Sequence, residues 1–431
     1  MCTATRQTLR SLWRDKAYSI TAVGILALGI GATTSMFSIV NSVLLQPLAY
    51  DDPDRLFAIY ARAPDVEETY PRLFANGRHY AEWRRSCSSC ESITAFQFVR
   101  PNLTVDPTVG GPSIAVNALR VSEDFLRTIA VQPILGRGFT SEDHKPGANQ
   151  VALLTTGLWS ARFQGDANVL GRTLNLNGQP TTVIGILPES FRFDTGSVYS
   201  ALSRSSVGRP QIVLPSGLAY ETMEPAGSHI YGAFVRLRPG VTAEAAMAEM
   251  DGLTLELSRK NGFGAFAKLL PLKESIVGES RHGLWLLLGG VALLLLIACV
   301  NLGNLMLVRA ERRMHGLAVR QALGARRHHL VIDALRESLV VSLVGGAFGL
   351  LAAYWAIHVL VAAAPIEIPR LDEIRLDRFS LIAAIMTSVF AGVAAGKDDY
   401  DFSRFDGSGE SNGGLWLGHK SGQHGIRDGD R

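Results

Sequence analysis

The sequence predicts an α-helical membrane protein with four transmembrane helices and a large α+β domain inserted between helices 1 and 2. Only 19% of the 431 residues are charged, against about 25% in soluble domains. The apolar residues gather in four blocks, and one long polar stretch separates the first block from the second. The net charge of +3 excludes a strongly basic nucleic-acid binder, and 4 cysteines are too few for a disulfide scaffold.

A helix needs roughly 20 mostly apolar residues to cross the hydrocarbon core, and the lengths of the four apolar blocks reach or nearly reach this value. Residues 18–45 contain no charge and follow a basic segment, 1–17. Residues 284–308 are almost uniformly apolar, and 338–364 form the third block. The fourth, 379–396, is the marginal span, since its length as a helix is only about 27 Å.

Two alternative interpretations of these blocks are a cleaved signal peptide and core helices of a soluble protein. The first block has the basic flank of a cleaved signal peptide, but its apolar stretch is too long and no small-residue cleavage site follows at 46–50. Core helices of a soluble protein are the alternative for the others, and 284–308 is too uniformly apolar for that. We therefore expect an uncleaved anchor and three further spans.

The distribution of Lys and Arg predicts the orientation of the spans. Four basic residues precede the first block, and seven arginines lie between the second and third blocks. The segment between the third and fourth blocks has three arginines set among four acids. The first two segments should face the cytoplasm, so residues 46–283 and the loop 365–378 should lie outside.

Small residues recur at a spacing of four in two of the blocks. Ala27 and Gly31 form one pair, and Gly345 and Gly349 form the other. This spacing lets helix backbones approach closely in lipid. The alternative is the ordinary tolerance of membrane helices for glycine.

The polar insert, residues 46–283, is long enough to fold around its own core. Its short β-like runs are bounded by turn residues, which is typical of an α+β domain. Three local patterns support this: a strand followed by a helix at 151–159, a hairpin at 173–187 that turns at Asn177 and Gly178, and a strand at 235–237 followed by a helix at 242–260. The last helix carries an apolar stripe of Ala246, Met250, Leu253 and Leu257.

Cys87 and Cys90 lie three positions apart in this insert. A local disulfide, a pair of free thiols and a redox site all remain open for them. A lone pair of this spacing lacks the second ligand pair of a structural zinc site, so we predict no metal. The sequence contains neither a phosphate-binding loop nor a zinc-protease motif, and we predict no catalytic residues.

Residues 309–337, between the second and third blocks, combine basic and apolar positions in an ordered pattern. We expect a short amphipathic helix that is broken at Gly324 and a second helix that leads into the third block. Such an element suits docking into a groove on a cytoplasmic partner, or equally an interfacial helix whose arginines meet anionic lipid. The residues assigned to it are Arg309, Arg312, Arg313, Leu317, Val319, Arg320, Leu323, Gly324, Arg326 and Arg327.

Residues 316–327, GLAVRQALGARR, resemble the signature of FtsX-like permeases of ABC transporters. Gly316 stands where that signature usually carries an acid. The insert resembles the MacB-type periplasmic core domain. Its matching runs lie at 121–125, 135–139, 170–174 and 183–188.

This resemblance implies a permease subunit in the bacterial inner membrane, with its large domain in the periplasm. A separate cytoplasmic ATPase would dock on 309–327 and hold the ATP, so no cofactor is expected in this chain. ATP hydrolysis by that ATPase would move the periplasmic domain and drive efflux of periplasmic substrates. The implied further partners are a second permease, as a dimer or as a second half, and a periplasmic adaptor.

Two other functions are compatible with the sequence. One is a regulatory or lipoprotein-extracting permease of the FtsX and LolC kind. The other is a membrane-anchored periplasmic sensor that uses no ATP.

The last segment, residues 397–431, departs from the resemblance. It is rich in glycine and has almost no apolar periodicity, so we expect disorder. The resemblance is to the first half of a long acidobacterial-type permease in which the unit is duplicated. A truncated or frameshifted product, and hence a nonfunctional fragment, is therefore also an expectation.

Overall fold

A computed structural model describes residues 15–48, 50–63, 68, 72–104, 113–148, 150–191, 193, 209–223, 229–261, 266–322, 327–363, 374 and 376–409. These residues form two compact units. The sheet unit contains residues 45–281, and the helical unit contains the described residues of 1–44, 282–363 and 372–431.

The helices and strands are numbered here in chain order. The helices are α1 Lys16–Val40, α2 Gly77–Ser86, α3 Phe125–Thr128, α4 Thr156–Phe163, α5 Ala243–Asn261, α6 Leu272–Ala322, α7 Arg327–Ala363 and α8 Arg378–Gly409. The strands are β1 Leu56–Arg62, β2 Ala75–Asn76, β3 Cys90–Val99, β4 Asn102–Thr104, β5 Ile114–Ala115, β6 Ala118–Val121, β7 Leu135–Gly136, β8 Val151–Thr155, β9 Thr173–Leu176, β10 Gln179–Leu187, β11 Ile212–Pro215, β12 His229–Leu237 and β13 Phe266–Pro271.

The strands of the sheet unit hydrogen-bond in the order β13-β1-β12-β3-β6-β11-β8-β10-β9-β4-β5, with β2 beside β12 and β7 beside β10. Parallel pairs, β8 with β10 and β6 with β11, occur beside antiparallel ones. Two apolar cores form on this sheet. One lies under α2 and α5 and includes Tyr80 and Trp83; the other lies around β8 to β11 and includes Leu158 and Phe163 of α4.

Several local predictions for the sheet unit are confirmed. β8 is followed directly by α4, and β9 and β10 form the predicted hairpin. Asn177 and Gly178 both have positive φ, 53° and 82°, as a tight two-residue hairpin turn requires. Thr242 accepts a hydrogen bond from the amide of Ala245 at the start of α5. The predicted stripe of α5 faces the core, with Ala246, Met250 and Leu257 buried and Leu253 packed against it.

Three helices in the described part of the chain are long and apolar enough to cross a membrane: Lys16–Leu45, Ser280–Leu305 and Leu335–Leu360. A shorter apolar helical stretch, Arg378–Ala394, follows them. In the helical unit, α1 contacts α6 and α7 through a common core that includes Leu26, Leu295 and Val341.

Two sequence predictions differ from the structure. α6 begins at Leu272, before the predicted span 284–308, because its first turns are buried in the sheet unit. It then continues without a break to Ala322, so the separate short helix expected after 308 is wrong. The expectation of disorder from residue 397 is wrong as far as Gly409, where α8 ends; residues 410–431 lie outside the described residues.

Candidate functional site

The crossing of α1 and α7 brings the four predicted small residues together. A Cβ atom added at Gly31 would lie 2.9 Å from the carbonyl oxygen of Gly349, and one added at Gly349 would lie 3.0 Å from the carbonyl oxygen of Ala27. A Cβ at Gly345 would lie 2.8 Å from Cβ of Leu26. The two backbones are therefore so close that only hydrogen fits at these positions.

A second close crossing, which the sequence analysis missed, joins α7 and α8. A Cβ at Gly392 of α8 would lie 2.5 Å from the hydroxyl of Ser342 on α7, and one at Gly346 of α7 would collide with the hydroxyl of Ser388 on α8. Both serines are buried, and Ser388 donates to the carbonyl of Ala384 in its own helix. Small residues occur in both of these apolar blocks, but the pattern of a single sequence does not show which helices pack against each other.

A polar contact joins α1 to α8 within the helical unit. The Asn41 side chain, just after α1, donates to Asp377 Oδ2 over 2.9 Å. Asp377 Oδ1 accepts from the amide and the hydroxyl of Ser380, both at 2.8 Å, in the first turn of α8. This carboxylate therefore caps one helix and holds the end of another.

The predicted coupling segment belongs to the last turns of α6 and the first turn of α7. Because α6 is continuous, positions 309, 313, 316 and 320 recur on one face of the helix at 3.6 residues per turn. Arg327 begins α7. Leu323, Gly324 and Arg326 lie outside the described residues.

The loop between α2 and β3 is held by a disulfide and by a carboxylate. Cys87 and Cys90 are bonded, with an S–S distance of 2.02 Å. Glu249 of α5 accepts hydrogen bonds from the amides of Ser88 and Ser89 at 2.6 and 2.9 Å. Burial opposes ionisation of Glu249, but hydrogen bonds from Ser89 and Ser88 outweigh it and lower its pKa to about 2. The disulfide therefore closes the loop, and Glu249 fixes the loop to α5.

Arg236 on β12 holds the segment that leads into β1. Its guanidinium is buried, and it donates to the carbonyls of Thr128 and Asp51 at 2.9 and 2.8 Å. Burial lowers the pKa of Arg236. This buried cation is therefore bound chiefly through main-chain oxygens, and it fixes residues 51 and 52 to β12.

The base of α6 is fixed to the neighbouring strand. The hydroxyl groups of Tyr60 on β1 and Ser275 on α6 are 2.5 Å apart, and both side chains are buried. β13, which runs directly into α6, pairs with β1 from Phe57 opposite Pro271 to Arg62 opposite Phe266. Both connections of the sheet unit, residues 45–55 and 272–281, are therefore attached to the β1–β12 pair.

A buried histidine lies in the core under α2. His79 is 1% exposed, and burial, with a smaller effect from His229, lowers its pKa to about 4. The neutral imidazole is therefore the form that the folded chain accepts. Sequence analysis missed both His79 and Arg236, because a polar residue beside apolar strand or helix positions is ordinarily assigned to a solvent face.

The low pKa of His79 predicts a loss of stability in acid. Its unfolded-state value is 6.5, so the contribution is complete above pH 6.5 and disappears as the pH falls towards 4. The free energy of unfolding of the sheet unit should fall by about 3 kcal/mol over that interval, at about 1.4 kcal/mol per pKa unit. Denaturant titrations at several pH values measure this free energy of unfolding. The His79→Gln variant should lose most of its dependence on pH between 6.5 and 4. The variant His282→Gln, which changes an exposed histidine, should keep the dependence of the unmodified chain. An unchanged slope in His79→Gln would contradict the assignment.

Two family models match the chain. The model described as the MacB-like periplasmic core domain matches residues 19–253. The model described as the FtsX-like permease C-terminal domain matches residues 289–397.

Curated relatives match over part of their length. The macrolide export ATP-binding/permease protein MacB of Salmonella typhimurium is 27% identical over 291 residues, which cover 67% of this chain and 42% of that protein. MacB of Escherichia coli is 25% identical over 253 residues, covering 57% of this chain and 35% of that protein. The chain thus spans less than half the length of these relatives.

Among solved structures, the periplasmic region of MacB from Actinobacillus actinomycetemcomitans aligns with a TM-score of 0.39 and 17% identity, covering 56% of this chain and 97% of that one. The extracellular domain of the transporter YknZ from Gram-positive bacteria aligns with a TM-score of 0.35 and 13% identity, covering 50% and 99%.

Proposed function

We propose that this chain, which belongs to the family of ABC permeases with a MacB-like periplasmic core domain and an FtsX-like permease domain, couples ATP hydrolysis by a separate cytoplasmic ATPase to movement of its own periplasmic domain. The observation that carries this proposal is the presence of both family domains, in that order, in one chain. The ATP would be bound by the partner, and no residue of this chain is given a catalytic role.

The proposal includes four membrane crossings, with residues 46–283 in the periplasm. Three helices have the length and apolarity that a crossing needs. The shorter apolar part of α8, Arg378–Ala394, is proposed as the fourth because it packs closely on α7 through Gly392 and Ser342. The excess of arginine at 309–336 supports a cytoplasmic location for the turn between α6 and α7.

The continuity of α6 supports the proposed coupling. This helix of 51 residues is about 77 Å long. It begins with a buried turn bound to β1 and ends in the predicted ATPase-docking segment. We propose that a displacement at positions 309–322 is carried along this continuous helix.

Efflux or export of periplasmic substrates is the transport activity that we propose. The relatives that match this chain are named for macrolide export. Their matched share is partial, so a second permease, as a dimer or another half, and a periplasmic adaptor belong to the proposal as further partners. A regulatory or lipoprotein-extracting permease and an ATP-independent sensor remain the competing functions.

Charge reversal in the docking segment tests the coupling. In Arg320→Glu combined with Arg326→Glu, the amount of ATP-binding cassette protein that co-purifies from membranes should fall at least tenfold, because the introduced glutamates would repel an acidic groove. Quantitative mass spectrometry of the purified complex measures this recovery.

The matched control reverses two exposed arginines of the sheet unit, Arg162 and Arg172, and should retain the partner. Equal recovery from the docking variant and the control would refute docking at this segment. Retained biological activity in a host without any cognate ATPase would favour the sensor.

A further inference from the structure

A pair of histidines in the sheet unit has no role in the proposed transport function. His79 lies on α2 and is 1% exposed, while His229 is the half-buried first residue of β12. Their ring centroids are 5.9 Å apart. The two residues are far apart in the sequence, so no local sequence motif indicates that they are neighbours.

Both ring nitrogens of His79 are buried. Neither ring nitrogen has a hydrogen-bond partner among the described residues. The ring of Trp83 is its neighbour, at 5.9 Å between centroids, but the indole N–H of Trp83 donates to the hydroxyl of Thr254 at 2.8 Å. A buried polar group without a partner costs stability, so this position calls for an explanation.

His229 is oriented as metal-binding histidines usually are. Its Nδ1 lies 2.7 Å from the carbonyl oxygen of Phe74, which places the proton on Nδ1 and directs coordination to Nε2. A backbone carbonyl on the other ring nitrogen fixes the tautomer and raises the basicity of the coordinating nitrogen.

The separation of the rings fits one ion between them. A metal–nitrogen bond is about 2 Å long and the imidazole centroid lies about 1 Å beyond its nitrogen, so two imidazoles on opposite sides of one ion have centroids about 6 Å apart. The observed distance is 5.9 Å. An ion placed between two imidazoles at this separation would occupy a site of low coordination number.

We propose that His79 and His229 bind one monovalent copper ion, Cu(I). The described residues contain no group of three or more His, Cys, Asp or Glu side chains that could hold a metal, so a divalent ion would lack the ligands it prefers. His79 and His229 are neutral ligands, and their surroundings include the apolar core under α2. Burying a single charge there costs less than burying two, and imidazole is a suitable ligand for copper.

The experiment uses the full chain in detergent, with Cys2 and Cys299 replaced by serine so that free thiols do not bind copper. Cu(I) is supplied anaerobically with ascorbate and competed against the chelator bicinchoninate. We expect one equivalent to bind. His79→Gln and His229→Gln should each weaken binding at least 100-fold, and the exposed His282→Gln should not change it.

X-ray absorption of the copper-loaded chain should show two nitrogen ligands. Because His79→Gln affects the core, the half-buried His229→Gln provides the independent test if the first variant fails to fold. Absence of stoichiometric binding, binding retained in His229→Gln, or a preference for Zn(II) over Cu(I) under the same competition would each overturn the proposal. These measurements do not depend on transport or on an ATPase.

Discussion

Replacing Gly349 with leucine should lower the amount of folded chain in the membrane at least tenfold. A Cβ at this position would lie 3.0 Å from both the Ala27 carbonyl oxygen and the Gly31 amide nitrogen. These are backbone atoms of α1, so they cannot move aside as a flexible side chain does. The variant must separate α1 from α7 and lose the contacts of the helical core. Quantitative blotting of membranes and detergent-solubilised thermal unfolding measure the effect.

Gly24 on α1 provides the matched control. A Cβ there meets nothing within 4 Å, so Gly24→Leu should accumulate like the unmodified chain. If Gly349→Leu accumulated as well as Gly24→Leu, the close crossing of α1 and α7 would be refuted. A defect of equal size in both variants would show instead that an added leucine, and not the crossing, causes the loss.

Arg236→Met should destabilise the sheet unit by about 4 kcal/mol. The guanidinium donates to the carbonyls of Thr128 and Asp51 in buried surroundings, and each hydrogen bond from a charged donor contributes about 2 kcal/mol. Methionine fills similar volume but leaves these oxygens without a donor. Hydrogen exchange of β1 and β12 amides should become about 1000-fold faster, at about 1.4 kcal/mol per factor of ten.

Arg238→Met is the control for Arg236. It removes an arginine two positions further along the chain, whose side-chain hydrogen bond to the Ser88 carbonyl is exposed, and should cost less than about 1 kcal/mol. Arg236→Lys should resemble the methionine variant, because one ammonium cannot reproduce the fork that reaches two separate carbonyls. Native-like exchange in Arg236→Met would show that the buried cation does not hold residues 51 and 52.

These two sites affect different units of the chain. The α1–α7 crossing determines whether the apolar helices assemble. Arg236 determines whether the segment 45–55 is bound to the same strand pair that receives α6 through Tyr60 and Ser275. In the proposed function, that strand pair is where movement of the helices would reach the periplasmic domain.

The sequence by itself determined the features that depend on neighbours along the chain. The apolar blocks follow from runs of about 20 residues, and the hairpin at Asn177 and Gly178 follows from a two-residue turn that needs positive φ. The cap at Thr242 and the stripe of α5 follow from helical periodicity. In the hairpin, the cap and the stripe, the residues that form the pattern are close to one another in the sequence.

Only the tertiary structure decided which distant residues meet. β12 is buried on both faces, so Arg236 points to main-chain oxygens where an alternating pattern would place it in solvent. The burial of the first turns of α6 lengthened that helix beyond its apolar block, and the chain path brought His79 to His229. Such contacts join segments separated by many residues, and their free energy comes from burial and pairing that no local periodicity encodes.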